Sequence, residues 1–377
     1  MDSAVKHGLL GQFCPIPDGL PAGSDIGNLS VFGYNPRETF TGRAPLEAAN
    51  QGIVPAADEL VFRCNFVTLE DGRMRDFTAD HITTEESRTL IATLNETIGT
   101  SDIRFAPGVS YRNLCIVRAG AAVLEPLRAL RCIPPHDIIG QNYNTNLPTG
   151  AQQQIVRALM EASRPVLAAH PTNEDRRSAG KLPATSIWLW GQGGAPRMTP
   201  YQHRFGITGA VVSAVDLVNG IGHCAGFEVL RVSGVTGYLD TNYEGKVAAA
   251  LDAFNRHDFV YLHVEAPDET AHEGRPDLKV QAIEDFDRRV VAPCLEAARK
   301  RGDLRILIAP DHVTSLASRT HAPGPVPFAL FGPGVKPNGL LAYTESEAAR
   351  AGVLYPDGHT LVPAMIHEQE IAFPLVQ

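Results

Sequence analysis

The sequence has few of the features that mark nucleic-acid-binding, membrane or disulfide-rich proteins. No stretch concentrates Lys and Arg, and the formal net charge is −9, so we expect no nucleic-acid partner. No apolar run approaches the ~18 residues needed to cross a bilayer, and the first residues lack a basic-then-apolar signal pattern. The 6 cysteines are scattered without a Cys-x-x-Cys pair, which argues against a zinc ribbon or a disulfide framework. We therefore expect a cytoplasmic protein with no membrane partner.

Short apolar runs with the length of β-strands occur at residues 259–264, 305–309 and 328–331. They alternate with helical stretches, which indicates an α/β fold with a mostly parallel sheet flanked by helices. Between the first two runs, residues 278–300 carry apolar side chains at helical spacing. These are Val280, Ile283, Phe286 and Val290. The pattern predicts an amphipathic helix that connects two strands as a βαβ unit.

The chain of 377 residues exceeds the size at which a single hydrophobic core keeps growing. Residues 56–232 differ in composition from the rest, with Pro- and Asn-rich loops and clustered basic and imidazole side chains. We therefore predict that residues 56–232 form an inserted α/β or α+β domain. Residues 1–55 and 233–377 would together form the core.

Acidic and imidazole side chains follow the first two predicted strands. Asp268 and His272 are four residues apart, so both face one way on a helical turn and can hold the same ion. Asp311 and His312 stand at the next strand end, and His321 follows. Each residue alone is more often a surface acid or a hydrogen-bonded histidine, but the set at successive strand ends favours a metal site. Carboxylate and imidazole together suit Mn²⁺, Zn²⁺ or Co²⁺, with Mg²⁺ less natural.

Ser24 lies in a turn of small residues that precedes a predicted helix start. A metal ion could remove its proton, and the helix N-terminus would stabilise a phosphoserine. The alternative is that Ser24 only caps the helix, as serine commonly does.

Motifs spread in order along nearly the whole chain resemble the archaeal-type, cofactor-independent phosphoglycerate mutases. The earlier ones are Ala-Gly-Ser-Asp at 22–25, Phe-Gly-Tyr-Asn-Pro at 32–36, Thr-Gly-Arg-Ala-Pro-Leu-Glu-Ala at 41–48 and Phe-Arg-Cys-Asn-Phe at 62–66. The later ones are Trp-Leu-Trp-Gly-Gln-Gly at 188–193, Gly-Tyr-Leu-Asp-Thr-Asn-Tyr-Glu at 237–244, Glu-Ala-Pro-Asp-Glu at 265–269, and Arg-Thr-His followed by Pro-Val-Pro-Phe at 319–328.

The resemblance implies an alkaline-phosphatase-like core with an inserted substrate-binding domain. It implies interconversion of 3-phosphoglycerate and 2-phosphoglycerate through a phosphoserine at Ser24, without 2,3-bisphosphoglycerate. Asp268, His272 and His321 would hold one divalent ion, while Asp311, His312 and Ser24 would hold the other. Mn²⁺ is our first choice, with Mg²⁺, Co²⁺ and Zn²⁺ as alternatives. The small phosphoglycerate is the only partner implied, and the oligomeric state stays open.

The insertion should supply groups that bind the carboxylate and phosphate of the substrate. Our candidates are Arg112, His136, Asp137 and Arg177. Arginine forks match planar oxyanions, and His136 or Asp137 could relay a proton to the glycerate hydroxyls. Each of them could equally be a solvated surface charge. Trp188 and Trp190 are expected to pack the insertion's core.

Family members of this type have a first strand that ends in Asp-Gly, and its aspartate joins Ser24 on the second ion. The resemblance places Met1 to Leu10 downstream of that strand, so a central strand is expected to be missing from this sequence. A start placed too late is favoured over a chain whose mutase activity has decayed. Alternative functions are a related phosphotransferase, a phosphate or phosphonate hydrolase on another small substrate, and a catalytically impaired paralogue.

Overall fold

The computed structural model describes residues 1–367 and divides into two compact units. The first unit contains Met1–Phe40 and the chain from Arg197 onward, and the second contains Thr41–Pro196. The fold is mixed α/β, with helices around several small sheets. Among the described helices, none combines the length and apolar character that crossing a bilayer requires.

The strands are numbered along the chain. They are β1 (Leu9–Phe13), β2 (Glu59–Glu70), β3 (Arg73–Asp76), β4 (Ile103–Val109), β5 (Arg112–Arg118), β6 (Ser186–Gly193), β7 (Gly209–Val212), β8 (Glu228–Val229), β9 (Phe259–Leu262), β10 (Ile306–Ile308), β11 (Val313–Ser315), β12 (Thr320–Ala322), β13 (Val326–Phe331) and β14 (Leu354–Tyr355).

The α-helices are numbered in the same way. They are α1 (Asp2–Lys6), α2 (Ser24–Val31), α3 (Pro36–Thr39), α4 (Arg43–Asn50), α5 (Thr84–Thr97), α6 (Ala121–Arg128), α7 (Gln153–Ala168), α8 (Pro171–Ser178), α9 (Tyr201–Arg204), α10 (Asp216–Cys224), α11 (Tyr243–Ala253), α12 (Ala266–His272), α13 (Pro276–Phe286), α14 (Ala292–Arg301), α15 (Glu345–Arg350) and α16 (Leu361–His367). A π-helical turn, Asp287–Val291, joins α13 to α14, and short 3₁₀ turns lie at Pro135–Ile138, Tyr143–Asn146 and Gly358–Thr360.

The first unit contains two main sheets. One has the order β10-β13-β1-β14, in which β13 is antiparallel to both neighbours and β14 is parallel to β1. The other has the order β8-β7-β9 and is entirely parallel. Parallel strands with helices on their faces read as continuous apolar runs because both faces are covered, and β7 is buried along its whole length. The predicted strands at 259–264, 305–309 and 328–331 are confirmed as β9, β10 and β13.

The second unit is built on an antiparallel sheet in which β2 pairs with β3, β5 and β6, and β4 pairs with β5. Its core packs Trp188 and Trp190 from β6 against apolar residues of β2, as expected from the sequence. Helix α5 begins with a capping box between Thr83 and Glu86, in which each side chain accepts from the other residue's backbone N–H.

The domain boundaries differ from the predicted 56–232 at both ends. Ala44 and Ala48 of α4 pack against Val61 and Ile116 of the second unit's sheet, so that unit begins at Thr41. At the other end, β7 pairs with β9, which places the chain after Pro196 in the core. Composition alone did not show to which unit these segments belong, because the strands against which they pack or pair are distant in sequence.

The predicted helix over residues 278–300 is present as α13, the π turn and α14, but its apolar stripe is not uniformly covered. Val280 is 55% exposed and Ile283 is 39% exposed, whereas Val290 is buried. The strands that this helix connects, β9 and β10, belong to different hydrogen-bonded sheets. The strand, helix and strand therefore follow one another along the chain as predicted, but the two strands are not joined in one hydrogen-bonded sheet.

Candidate active site

A cluster of one carboxylate and two imidazoles is formed by α12, which follows β9, and by the middle residue of β12. Asp268 Oδ2 is 3.1 Å from His272 Nε2, and Asp268 Oδ1 is 3.4 Å from His321 Nε2. The two Nε2 atoms are 2.9 Å apart. One ligand atom from each residue lies within 4.8 Å of the others. This oxygen and nitrogen set fits a first-row divalent ion.

Hydrogen bonds around the cluster select which ring nitrogen faces inward. His272 Nδ1 lies 2.9 Å from the backbone oxygen of Arg319, and only an N–H can bond to that carbonyl. The inward atom is therefore Nε2, whose lone pair becomes available once its proton leaves. Metal-bound histidines commonly hold their outer N–H on a carbonyl in this way. The orientation of His272 is thus the one that ion binding requires.

The charges in the cluster follow from these contacts. Burial raises the pKa of Asp268, but hydrogen bonds from His272, His321 and Thr314 outweigh it and hold that pKa well below its usual range. The hydrogen bond to Asp268 raises the pKa of His272 to about 9 against the effect of burial. Without an ion, the carboxylate is ionised and His272 carries a proton at neutral pH. A bound cation would replace that proton.

Ser24 is the first residue of α2, and its Oγ lies 3.1 Å from His312 Nε2. The protonation of His312 follows from its other side. Thr314 Oγ1 donates to the ionised Asp268, so it must accept from His312 Nδ1, which is 3.1 Å away. His312 Nε2 then carries no proton in the neutral ring and accepts from the Ser24 hydroxyl. A nucleophile in contact with a proton acceptor is an arrangement that activates serine.

Asn28, one turn along α2, fixes Asp311 beside Ser24. Its Nδ2 donates to Asp311 Oδ2 at 2.6 Å and to the Ser24 carbonyl at 2.9 Å, while its Oδ1 accepts from Tyr261. Asp311 Oδ2 lies 3.4 Å from His312 Nε2. Burial raises the pKa of Asp311. The carboxylate therefore gains from a nearby cation.

Gly27 allows this close packing. A Cβ at position 27 would lie 2.2 Å from the backbone oxygen of Asp311, a distance that no side chain tolerates. The absence of a side chain lets α2 approach the end of β10. The two predicted ligand sets also adjoin each other, because the rings of His312 and His321 have centroids 4.0 Å apart. The structure thus brings together all six residues that were predicted to bind metal.

The second unit carries its own charged cluster, centred on Glu47. Arg43 and Arg63 each place Nε 3.0 Å from a Glu47 oxygen, and Arg63 lies 4.3 Å from the centre of the Trp190 ring. Burial raises the pKa of Glu47, but Arg63 and Arg43 outweigh it, so the pKa is lowered. Arg112 adds a further cation that interacts with Glu47. The cluster has an excess of positive charge and suits an anionic ligand.

The predicted substrate-binding residues are placed differently from one another. Arg112 belongs to this cluster, and its buried Nε has no hydrogen-bond partner among residues 1–367. The His136 ring packs edge-on against Trp190, with 5.5 Å between the ring centroids. Asp137 Oδ1 lies 3.7 Å from His136 Nε2. Arg177 donates to the Ala168 carbonyl on the surface of α8, and no contact within residues 1–367 joins it to the cluster.

Sequence reasoning missed several residues of the two clusters. Asn28 and Thr314 belong to the cluster of the first unit, and Arg43, Glu47 and Arg63 belong to that of the second unit. It also missed Lys246, a buried cation of the first unit. Arg63 did carry a signal, because it interrupts the apolar run of β2, where a charge needs a partner. Lys246 is fully buried and donates to the His263 carbonyl, and burial lowers its pKa to about 8. Asn28 and Thr314 carried no local signal.

Comparisons with known proteins show the family to which this chain belongs. The family model described as 2,3-bisphosphoglycerate-independent phosphoglycerate mutase matches residues 5–173. A Geobacter sulfurreducens relative, named "Probable 2,3-bisphosphoglycerate-independent phosphoglycerate mutase", is 48% identical over 371 residues, covering 97% of this chain and 92% of the relative. A Methanosarcina barkeri relative is named "2,3-bisphosphoglycerate-independent phosphoglycerate mutase". It is 47% identical over 355 residues, covering 94% of this chain and 88% of the relative.

Solved structures show the same similarity. A Pyrococcus horikoshii protein matches with a TM-score of 0.79 and 29% identity over 99% of this chain and 91% of its own. The cofactor-independent phosphoglycerate mutase from Thermoplasma acidophilum matches in fold, with a TM-score of 0.61 and 24% identity over 97% and 90%. With relatives this similar over nearly their whole length, the chain belongs to the 2,3-bisphosphoglycerate-independent phosphoglycerate mutase family.

Proposed function

We propose that this chain is an isomerase that interconverts 3-phosphoglycerate and 2-phosphoglycerate, with Ser24 as the acceptor of the phosphoryl group. The observation that carries the proposal is the 3.1 Å contact between Ser24 Oγ and His312 Nε2, beside a carboxylate and imidazole cluster. A serine that merely caps a helix would direct its oxygen at backbone N–H groups. Ser24 follows the N-cap residue Gly23, and its Oγ contacts His312 instead.

In this proposal the phosphoryl group leaves the 3-oxygen of glycerate for Ser24 Oγ, and then returns to the 2-oxygen. The Ser24 hydroxyl gives up its proton to water before the oxygen–phosphorus bond forms, because His312 Nε2, which contacts that hydroxyl, cannot hold an ion and accept the proton at the same time. The positive end of α2 favours the phosphoserine, because the first backbone N–H groups of a helix attract anions. Atoms balance over the cycle, since one phosphoryl group is donated and the same group is returned.

We propose that two divalent ions bind to these residues, with Mn²⁺ as the first choice. Asp268, His272 and His321 would hold one, and Ser24, Asp311 and His312 would hold the other. When bound, such ions lower the pKa of a serine hydroxyl and offset charge on a transferring phosphoryl group. The hydrogen bonds from Thr314 and Asn28 keep Asp268 and Asp311 oriented for this purpose.

We propose that the Arg112 cluster binds the anionic ends of the substrate. Arg112 has a buried Nε without a partner, and a buried donor of this kind gains most from an oxyanion. His136 is close enough to Trp190 to share that site, and Asp137 beside it is exposed. Arg177 stays a prediction that rests on the sequence alone.

The six cysteines are all free thiols in the structure. Burial raises the pKa of Cys64, Cys115 and Cys132, so these thiols are unreactive at neutral pH. Free thiols persist in a reducing compartment. We therefore propose a cytoplasmic location.

The direct test is phosphorus NMR of the chain incubated with 3-phosphoglycerate and Mn²⁺. We expect a 2-phosphoglycerate signal that is lost in Ser24→Ala and kept in Ser101→Ala, a matched change at an exposed serine. A Ser24→Ala protein that still forms 2-phosphoglycerate would remove Ser24 as the acceptor. Release of inorganic phosphate faster than isomerisation would favour a hydrolase instead.

A further inference from the structure

A chain of hydrogen bonds joins the end of β7 to the start of α12. Ser213, which follows β7, places its Oγ 3.0 Å from His263 Nδ1. His263 follows β9, and its Nε2 lies 3.2 Å from Glu265 Oε2. The backbone carbonyl of Glu265 accepts from the N–H of Asp268 at 2.9 Å. The chain therefore ends on the carboxylate residue that our proposed function places on an ion.

The direction of each bond follows from what the atoms can donate. An ionised carboxylate only accepts, so the neutral His263 ring carries its proton on Nε2. Its Nδ1 then accepts from the Ser213 hydroxyl, while Ser213 Oγ accepts in turn from the backbone N–H of Val215. Ser213 is buried, and hydrogen bonds away from water are electrostatically stronger. Each link of the chain thus has one donor and one acceptor.

Serine, histidine and an acidic residue in contact with one another also occur in serine hydrolases, but these three residues are not suited to that chemistry. Burial lowers the pKa of His263 to about 3, and the nearby charge of Lys246 adds to the effect. A general base needs a pKa near the working pH, so His263 does not take up the Ser213 proton at pH 7. A ring that stays neutral keeps both of its bonds, which suits a role in holding geometry.

A buried cation holds the same segment. Lys246 of α11 is fully buried, and its Nζ donates to the backbone carbonyl of His263 at 3.0 Å. Burial lowers the pKa of Lys246 to about 8, and attraction to Glu265 opposes that shift, so the amine is largely protonated at pH 7. A buried charge requires an opposite charge nearby, and Glu265 supplies it. The backbone of His263 and the side chain of Glu265 are therefore both fixed.

Helix α12 depends on such contacts because it contains only 7 residues, and a helix this short is marginal by itself. Glu265 is its N-cap residue, and the Glu265 carboxylate is held by His263. We propose that His263 is a positioning residue of the ion site, acting through Glu265, an inference that rests on the proposed function. By fixing the first turn of α12, it aims Asp268 and His272 at one ion.

Calorimetry with Mn²⁺ alone tests this proposal without any substrate. His263→Asn places an amide near the Nδ1 position and removes the group at Nε2, so the contact with Glu265 is lost. We expect Mn²⁺ affinity to fall by about ten- to a hundredfold, as it does when a residue that orients metal ligands is lost. His263→Gln places its amide near Nε2, keeps a donor toward Glu265, and should stay within about threefold of the wild type. His223→Asn, at an exposed histidine of α10, is the matched control and should bind like the wild type.

Urea unfolding of the metal-free variants separates positioning from a loss of overall stability. His263→Asn and His263→Gln should be destabilised to a similar extent, because each keeps one of the two bonds of the ring, whereas only His263→Asn should lose affinity. Glu265→Ala removes the same contact from the other partner and should lose affinity as His263→Asn does.

The proposal is overturned if the Asn and Gln variants at position 263 bind Mn²⁺ equally well or equally poorly, since the role of His263 is then structural only. It is also overturned if Glu265→Ala binds like the wild type. A wild type that binds no Mn²⁺ would instead remove the ion site of the proposed function, and the role of His263 with it.

Discussion

Raising the pH should strengthen metal binding at the Asp268, His272 and His321 cluster. Without an ion, the pKa of His272 is raised to about 9, chiefly by its hydrogen bond to Asp268. A metal ion requires the unprotonated Nε2, so proton and metal compete for one atom. Below the pKa, this competition changes the association constant by about tenfold per pH unit. From pH 6.5 to 8.5 the limit is therefore about a hundredfold.

Solvent reduces this magnitude, because the His272 side chain is 34% exposed. Allowing for screening, we expect Mn²⁺ affinity to rise by about ten- to thirtyfold over that range. Calorimetry in buffers of different ionisation enthalpy should show close to one proton released per ion at pH 7. His272→Gln should bind weakly and lose the pH dependence, while His7→Gln, at an exposed histidine, should keep both. Affinity that does not change with pH, with no proton release, would refute the reasoning.

The same pKa predicts the opposite trend for the metal-free protein. The folded pKa of His272 lies above the ordinary value of 6.5, so its contribution to stability is complete below pH 6.5. It is lost as pH rises through about 9. The shift corresponds to a ceiling near ~3 kcal/mol, which screening at a partly exposed side chain lowers to about 1 to 2 kcal/mol. Urea unfolding in the presence of a chelator, compared between the wild type and His272→Gln, isolates this contribution.

Three substitutions test the remaining contacts. Gly27→Ala should lower kcat by about a hundredfold or more in the mutase assay. The new Cβ would clash with the backbone oxygen of Asp311 and so move Ser24 away from Asp311. Glu47→Gln should lower the free energy of unfolding by about 3 to 5 kcal/mol in urea titrations, since it leaves Arg63 buried without an anionic partner. Arg112→Met should raise KM for 3-phosphoglycerate by about tenfold or more in steady-state kinetics.

Each of these substitutions has a matched control. Gly120→Ala adds a Cβ where no atom lies within 4 Å and should leave kcat unchanged. Glu161→Gln removes an exposed partner of Arg164 and should change stability by less than about 1 kcal/mol. Arg88→Met, at an exposed arginine, should leave KM unchanged. If a test variant behaves like its control, the corresponding contact does not have the role assigned to it.

The sequence was sufficient for the parts of the site that depend on local pattern. β9 and β10 were recognisable as apolar runs that are followed by Asp268 and Asp311, although the two strands belong to different sheets. Asp268 and His272 were recognisable from helical spacing. These residues do converge with His321 in the structure. In each case the signal lies within a few residues of the chain.

The remaining features depend on contacts between distant segments. Asn28 bonds to Asp311, 283 residues away, and nothing near Asn28 indicates that partner. The uncovered face of α13 was also invisible, because helical spacing identifies an apolar stripe but not what lies against it. Val280, counted in that stripe, is 55% exposed.

The central claim is that Ser24 accepts the phosphoryl group, and peptide mapping by mass spectrometry tests it most directly. The protein would be incubated with 3-phosphoglycerate and Mn²⁺, quenched in acid, and digested. We predict one added phosphoryl group on the peptide containing Ser24, absent in Ser24→Ala and reduced in His312→Gln, because His312 Nε2 contacts the Ser24 hydroxyl. Isomerisation with no phosphoryl group on Ser24, or with the group on another residue, would contradict the account.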